Sequence, residues 1–139
     1  MKPKYGNKEC LAFNMSFMSR VEREHAYWLE SELQAGRIQN WHHEKSYDLL
    51  AYNPFIGTTK IGGHKPDFTV FYPGDRIEVH EIKGGNATKT EAWALRRRIF
   101  KANYPHIEYR VFDRIANEKK KRLKSWCKKA KKWKTIKMD

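Results

Sequence analysis

The chain has 139 residues, enough for one domain with one core, and its 40% apolar content sets it apart from disordered chains. No run approaches the roughly 20 apolar residues of a membrane span. The opening "MKPKYGNKEC" lacks the apolar segment of a secretory signal, so a cytoplasmic protein without a membrane partner is expected.

Lys and Arg total 29 against 16 Asp and Glu, a net charge of +13. An excess of this kind is the electrostatic footprint of a polyanion binder, most often of nucleic acid. It is unevenly spread. Residues 117–139 hold eleven basic and two acidic side chains, a net of +9, which leaves +4 for residues 1–116. The chain therefore divides into a core domain, 1–116, and a basic tail, 117–139. Cys10 and Cys127 form no C-x-x-C pair, so two free thiols are expected rather than a zinc site or a disulfide framework.

In chain order, the first helix is expected to start at Ser19, because "SRVE" has capping-box spacing, and to stop at Gly36. "IQNWHHEKSYDLLAY" reads as one mixed strand, and Asn53-Pro54 with "GTTKIGG" as a Gly-rich connection. "KPDFTVFY" alternates, with Phe68 and Val70 on one face and Asp67, Thr69 and Phe71 on the other. Pro73-Gly74-Asp75 is a turn, and "RIEVHEIK" is the next strand, ended by Gly84-Gly85. A second helix, "EAWALRRRIFKAN", is capped by Thr88 or Thr90 and closed by Pro105, and "IEYRVF" is a last strand. In the tail, Leu123, Trp126, Ala130 and Trp133 form one helical stripe in a basic surround. The predicted order is α-β-β-β-α-β, an α/β fold with a mixed sheet flanked by helices, followed by a basic C-terminal helix.

Strand parity isolates a candidate site. Residues two apart share a face, so Glu81 and Lys83 lie with Val79, while Glu78, His80 and Ile82 face the other way. Glu78 is expected to be solvated or shielded by a helix edge. The fourteen residues from Asp67 to Glu81 match a strand, a tight turn and a returning strand, which sets Asp67 across from Glu81. Two carboxylates held close repel unless a cation lies between them. Hard oxygen ligands of this kind suit Mg²⁺, and a neighbouring lysine can orient a water and offset charge on a pentacovalent phosphorus. These are the parts of metal-assisted phosphodiester hydrolysis. The competing readings are an exposed strand aspartate and a surface Glu81–Lys83 pair worth roughly 0–1 kcal/mol. His25, His42, His43, His64 and His80 match no common zinc spacing.

"PDF" (Pro66, Asp67, Phe68) followed by "EIK" (Glu81, Ile82, Lys83) resembles the PD-(D/E)xK nuclease superfamily. The similarity runs from about Ser19 to Phe112. It is nearest to small phage-encoded endonucleases related to archaeal-type Holliday junction resolvases. The resemblance implies a restriction-endonuclease-like core and a metal-dependent DNA endonuclease acting on branched or four-way DNA. It further implies Mg²⁺, with Mn²⁺ able to substitute, a two-fold homodimer, and a bacterial host cytoplasm if the gene is a phage's.

Residue by residue, the resemblance makes Asp67, Glu81 and the Ile82 carbonyl metal ligands, Lys83 the catalytic lysine, and Glu22 a further metal-site carboxylate. Read alone, Glu22 is the third helical residue of a capping box. Where related nucleases often carry a Gln-Pro-like element, "HHEK" stands here. Arg96, Arg97, Arg98 and Lys101, with Lys128 and Lys131 of the tail, are candidate DNA-phosphate contacts, or else a solvated helix face. The tail stripe fits duplex binding, a membrane-surface or calmodulin-type amphipath, or docking on the core. The alternatives to a resolvase are a restriction-like enzyme, a transposase endonuclease subunit, and a non-catalytic nucleic-acid-binding protein of similar fold.

Overall fold

The structure, a computed structural model, describes residues 10–84 and 88–113. The tail, with the candidate phosphate contacts Lys128 and Lys131, lies outside the described residues.

Helix α1 (Arg20–Gln34) begins where the sequence predicts. The Ser19 hydroxyl accepts the Glu22 N–H at 3.2 Å, satisfying one of the orphan donors of the first turn. It ends at Gly36, whose φ of 75° allows its N–H to bond the Leu33 carbonyl and the Arg37 N–H to bond the Glu32 carbonyl, both at 3.0 Å. That pair of bonds is a Schellman stop. Helix α2 (Glu91–Asn103) is capped by Thr90, not Thr88: its hydroxyl accepts the Trp93 N–H at 3.2 Å.

The sheet is richer than the predicted order. Ahead of α1, β1 (Cys10–Ala12) and β2 (Met15–Phe17) form a small hairpin that the sequence reading missed. Its two turn residues, Phe13 and Asn14, both have positive φ, as a two-residue I′ turn requires. The expected single strand over "IQNWHHEKSYDLLAY" is in fact two, β3 (Asn40–His43) and β4 (Tyr47–Asn53), in different sheets. Glu44, at φ 54°, breaks the strand. Its N–H bonds the Asp67 carbonyl at 3.0 Å, tying the break to the next strand pair. The expected Gly-rich connection is also a strand, β5 (Gly57–His64), paired antiparallel with β4.

The main sheet comprises β3, β6 (Phe68–Phe71), β7 (Ile77–Lys83) and β8 (Ile107–Asp113), in that spatial order. The first two pairings are antiparallel and β7–β8 is parallel, so the chain is α/β with a mixed sheet. The turn between β6 and β7 uses Gly74 and Asp75, both at positive φ. Phe68 stands opposite His80 and Thr69 opposite Val79, which is the register the alternation predicts.

Two cores lie on the two sheet faces. On one, Phe68, Val70 and Trp41 pack with Ala26 and Leu29 of α1 and with Phe17. On the other, Val79, Ile107 and Tyr109 pack with Trp93 and Phe100 of α2 and with Tyr47 and Leu49 of β4. Phe17, Phe68 and Phe100 are wholly buried, each contributing about 1.5–3 kcal/mol of transfer free energy. Among the described residues, no helix is long and apolar enough to cross a membrane.

Candidate active site

At the end of the main sheet where β6 begins and β7 finishes, a cleft of about 630 Å³ opens. It is lined by residues from α1, the β5–β6 junction, β7 and α2, among them Glu22, Asp67, Glu81, Lys83 and Arg96. Residues forty-five and fourteen positions apart in sequence thus share one wall.

Asp67 and Glu81 are interlocked through their backbones. Glu81 Oε1 accepts the Asp67 N–H at 3.1 Å, and Asp67 Oδ2 accepts the Ile82 N–H at 2.7 Å. Each carboxylate therefore holds the other's strand in register, which fixes both groups at the cleft. Lys83 Nζ lies 3.2 Å from Glu81 Oε2 and 4.5 Å above the centre of the Trp93 ring. The indole face and the carboxylate together restrain the ammonium.

Glu22 is carried to the cleft by the first turn of α1 and is buried. Among the described residues its Oε2 has no hydrogen-bond partner, and the nearest basic nitrogen is His43 Nε2 at 3.9 Å, which also lies 3.8 Å from Glu44 Oε1. A buried carboxylate oxygen left without a donor costs about 1–3 kcal/mol or more.

The electrostatics follow from this crowding. Burial holds the Asp67 carboxyl well above the usual carboxylate range, and the charges of Glu81 and Glu22 push it further. Burial also raises Glu81, with Lys83 and the Asp67 N–H opposing the shift. Three carboxyl groups meet in the cleft, and of the basic side chains that line it, Lys65, Lys83 and Arg96, it is Lys83 that is paired with one of them, so the carboxyl cluster itself is short of paired positive charge.

The donor set fits a hard divalent cation. Asp67 and Glu81, with the Ile82 carbonyl, are the oxygen donors that could hold Mg²⁺, with Glu22 lining the same cleft. Mg²⁺ ordinarily takes one or two carboxylates and keeps several waters. Among the described residues, no group of three or more His, Cys, Asp and Glu side chains is placed to hold a metal ion.

The predicted basic contacts divide. Arg96 lines the cleft. Arg97 turns inward instead, with its guanidinium 5.6 Å from the Trp93 ring centre and 5.3 Å from that of Tyr109. Its Nε is buried and, among the described residues, without a hydrogen-bond partner, while the residue as a whole is half-buried, so part of its side chain packs on the α2 face. Arg98 and Lys101 are exposed but outside the cleft lining.

The cleft also holds residues that the sequence reading did not single out for it. His64 and Lys65 line it, as does Trp93. His64 Nε2 and Trp93 Nε1 both reach the Tyr109 hydroxyl, at 2.9 and 3.2 Å. Burial, with Arg96 and Lys83 nearby, lowers His64 to about 4, so its ring is neutral near pH 7. The position of Trp93, three residues past the Thr90 cap and so on the first turn of the helix after the EIK strand, was the available signal.

Glu78 is not solvated, contrary to one branch of the expectation, and neither is His80 beside it. They are buried on the α1 face in a hydrogen-bonded chain. Arg110 reaches Glu78 at 3.3 Å, Glu78 meets His80 Nε2 at 3.0 Å, and His80 Nδ1 meets His25 Nε2 at 2.9 Å. Burial lowers His25 to about 3, with His80 and Arg110 adding to the effect, and burial also lowers His80. With both rings neutral, His80 donates from Nε2 to Glu78 and accepts at Nδ1 from His25.

An α/β chain with a half-sheltered carboxylate cleft at the open end of its sheet is thus the class the geometry defines. The chain belongs to the family described as a protein of unknown function, DUF1064, whose match spans residues 2–135. No curated protein and no solved structure matches it.

Proposed function

We propose that the protein is a Mg²⁺-dependent endonuclease selective for branched DNA, most like a phage-type Holliday junction resolvase, working as a homodimer. One observation carries the reading: Asp67 and Glu81 are locked together across β6 and β7, with Lys83 bound to Glu81 and the unsatisfied Glu22 carboxylate aimed at the same cleft. A buried group of carboxylates with a deficit of paired positive charge is a demand for a divalent cation.

The fold supports the reading too. With the β1–β2 and β4–β5 hairpins set aside, the order is α1, β3, β6, β7, α2, β8, and the sheet order is β3-β6-β7-β8. That order is compatible with the α-β-β-β-α-β pattern expected of a restriction-endonuclease-like core.

Mg²⁺, when bound, supplies Lewis acidity to the scissile phosphate. The chain's own residues do the rest. Asp67 and Glu81 fix the ligand oxygens, Lys83 orients the attacking water and offsets charge on the five-coordinate phosphorus, and Arg96 holds a flanking phosphate. Water adds to phosphorus, a P–O ester bond breaks, and the departing oxygen takes up a proton. Selectivity then comes from DNA shape rather than from base edges, since phosphate contacts carry no sequence information. A two-fold dimer would present two clefts to the two strands cut at a junction.

The testing experiment incubates the protein and Mg²⁺ with a four-way junction, a fork, linear duplex and single-stranded DNA. Preferential, paired cleavage of the junction is expected. Equal cleavage of every substrate would discard the resolvase reading while leaving a nuclease, and binding without cleavage under any divalent metal would favour a non-catalytic DNA-binding protein.

A further inference from the structure

The β4–β5 hairpin forms a sheet separate from the main one, and among the described residues its outer half has no neighbours to bury it. Residues 51–56 and 58–61 are all exposed. Its outermost residues are nevertheless apolar: Phe55 is 94% exposed, and Tyr52 and Ile56 are each 75%. Ile61, further down the returning strand, is also exposed. Hairpin tips ordinarily carry Gly, Asn, Asp or Ser, and a cluster of exposed apolar groups marks a contact surface.

The arm is clasped at its base. Asn103 of α2 accepts the Leu50 N–H at 2.7 Å and donates to the Leu50 carbonyl at 3.1 Å, while the Tyr104 hydroxyl donates to the Asp48 carbonyl at 2.8 Å. Beyond this clasp β4 runs from Leu50 to Asn53, roughly 10 Å at the usual strand rise, before the turn that carries Phe55. The tip itself is ordered: the Asn53 side chain accepts the Phe55 N–H at 2.8 Å, and Gly57 takes the positive φ of 81° that the turn needs. An arm held this way presents its apolar tip without a large ordering cost on binding.

Its root is the candidate site. β5 ends at His64, and His64, Lys65 and Asp67 all line the cleft. From Tyr47 to Pro66 the arm and its junction contain Lys60 and Lys65 against Asp48, a net charge of +1, with Lys60 paired to Asp48 at 3.1 Å. The chain as a whole is strongly basic. The arm is therefore compatible in charge with a polyanion lying in the cleft, and its tip is suited to the apolar part of one.

We infer that the tip formed by Tyr52, Phe55 and Ile56 is a wedge that stacks on base pairs opened at a DNA branch point. This inference rests on the nuclease reading of the cleft and names what selects its substrate. Apolar side chains inserted at a base step unstack it at a cost of a few kcal/mol. At a branch point the stack is already interrupted, so the wedge gains contact with exposed base faces without meeting that cost. Uninterrupted duplex offers it nothing. Phosphate contacts in the cleft then hold any DNA, and the arm supplies the preference for a branch.

The test uses the full chain with Ca²⁺ in place of Mg²⁺ and 2-aminopurine placed at the centre of a four-way junction. The wild type should raise the 2-aminopurine fluorescence on binding. The double variant Phe55→Ser, Ile56→Ser should keep its melting temperature, since both side chains are exposed, and should bind linear duplex within about twofold of the wild type. It should lose the fluorescence rise and bind the junction about tenfold more weakly, the loss of one stacked base.

An unchanged ratio of junction to duplex affinity would overturn the inference. So would an unaltered junction preference together with loss of a dimer in sedimentation, which would make a second copy of the chain the tip's partner. Because the readout is binding, failure of the wild type to cut any DNA under Mg²⁺ would count against the nuclease reading alone.

Discussion

Replacing Asp67 by Asn tests the electrostatics of the cleft before any DNA is added. The amide keeps an oxygen to accept the Ile82 N–H now held at 2.7 Å, so the strand register has no reason to change. What is lost is one of three mutually repelling carboxylates. Opposed residues on antiparallel strands have Cβ atoms about 5 Å apart. Two unit charges at that separation repel by roughly 3 kcal/mol at an effective dielectric near 20. Lys83, 3.2 Å from Glu81, cancels part of this. A net stabilisation of ~1–2 kcal/mol is expected without metal, or ~3–8 °C in melting temperature for a chain of this size.

The sign depends on pH. The folded form holds the Asp67 proton more tightly than the unfolded chain does. Wild-type stability from this group therefore falls as pH rises above the unfolded carboxylate range near 4. The advantage of the Asn variant should be largest near pH 8 and should shrink toward pH 4 as the wild-type carboxyl takes up its proton. Mg²⁺ should reverse the order, raising the wild-type melting temperature and leaving the variant nearly unmoved. Calorimetric melts at both pH values, with and without Mg²⁺, read all four states. A variant that melts below the wild type at pH 8 without metal would refute the claim that the carboxyl cluster is short of paired positive charge.

Other consequences follow from the same geometry. His25, lowered to about 3, and His80, lowered by burial, are neutral when folded but charge near 6.5 when unfolded. Their contribution is whole above pH 6.5 and is lost as pH falls toward 3, so His25→Phe should flatten the acid limb of the stability curve; an unchanged limb would place the acid sensitivity elsewhere. Arg96→Ala should weaken duplex binding several-fold and reduce its salt slope by about one, whereas Arg98→Ala and Lys101→Ala should each change it less, and the reverse ranking in a binding titration would misplace the DNA path. Deleting 117–139 removes a net charge of +9 and should flatten the salt dependence of DNA binding, as fewer counterions are released; an equal slope would mean the tail does not touch DNA.

The sequence reading reached the centre of the site because its logic was local. Alternation put Glu81 and Lys83 on one face, chain length set Asp67 opposite, and the capping signals at Ser19 and Gly36 placed Glu22 on the first turn of α1. What it missed depended on partners distant in sequence. Glu78 and His80 were assigned to the correct face, yet their burial rests on His25 fifty-five residues before His80 and Arg110 thirty-two after Glu78. Arg97 looked like a member of a basic run, and only Trp93 and the remote Tyr109 turn it inward. β5 was unreadable as a strand because it is almost entirely exposed, with Gly62 and Gly63 inside it and no alternating apolar face. The β1–β2 turn places a phenylalanine at positive φ, where glycine or asparagine is the usual signal.

The most direct test of the central claim is cleavage of an end-labelled four-way junction by the wild type and by the folded Asp67→Asn and Lys83→Ala variants. With Mg²⁺, the wild type should cut strands near the branch, both variants should bind without cutting, and chelation should stop the wild type. Cutting by either variant at the wild-type rate, or by the wild type in excess chelator, would contradict the assignment of this cleft as a metal-dependent phosphodiesterase site.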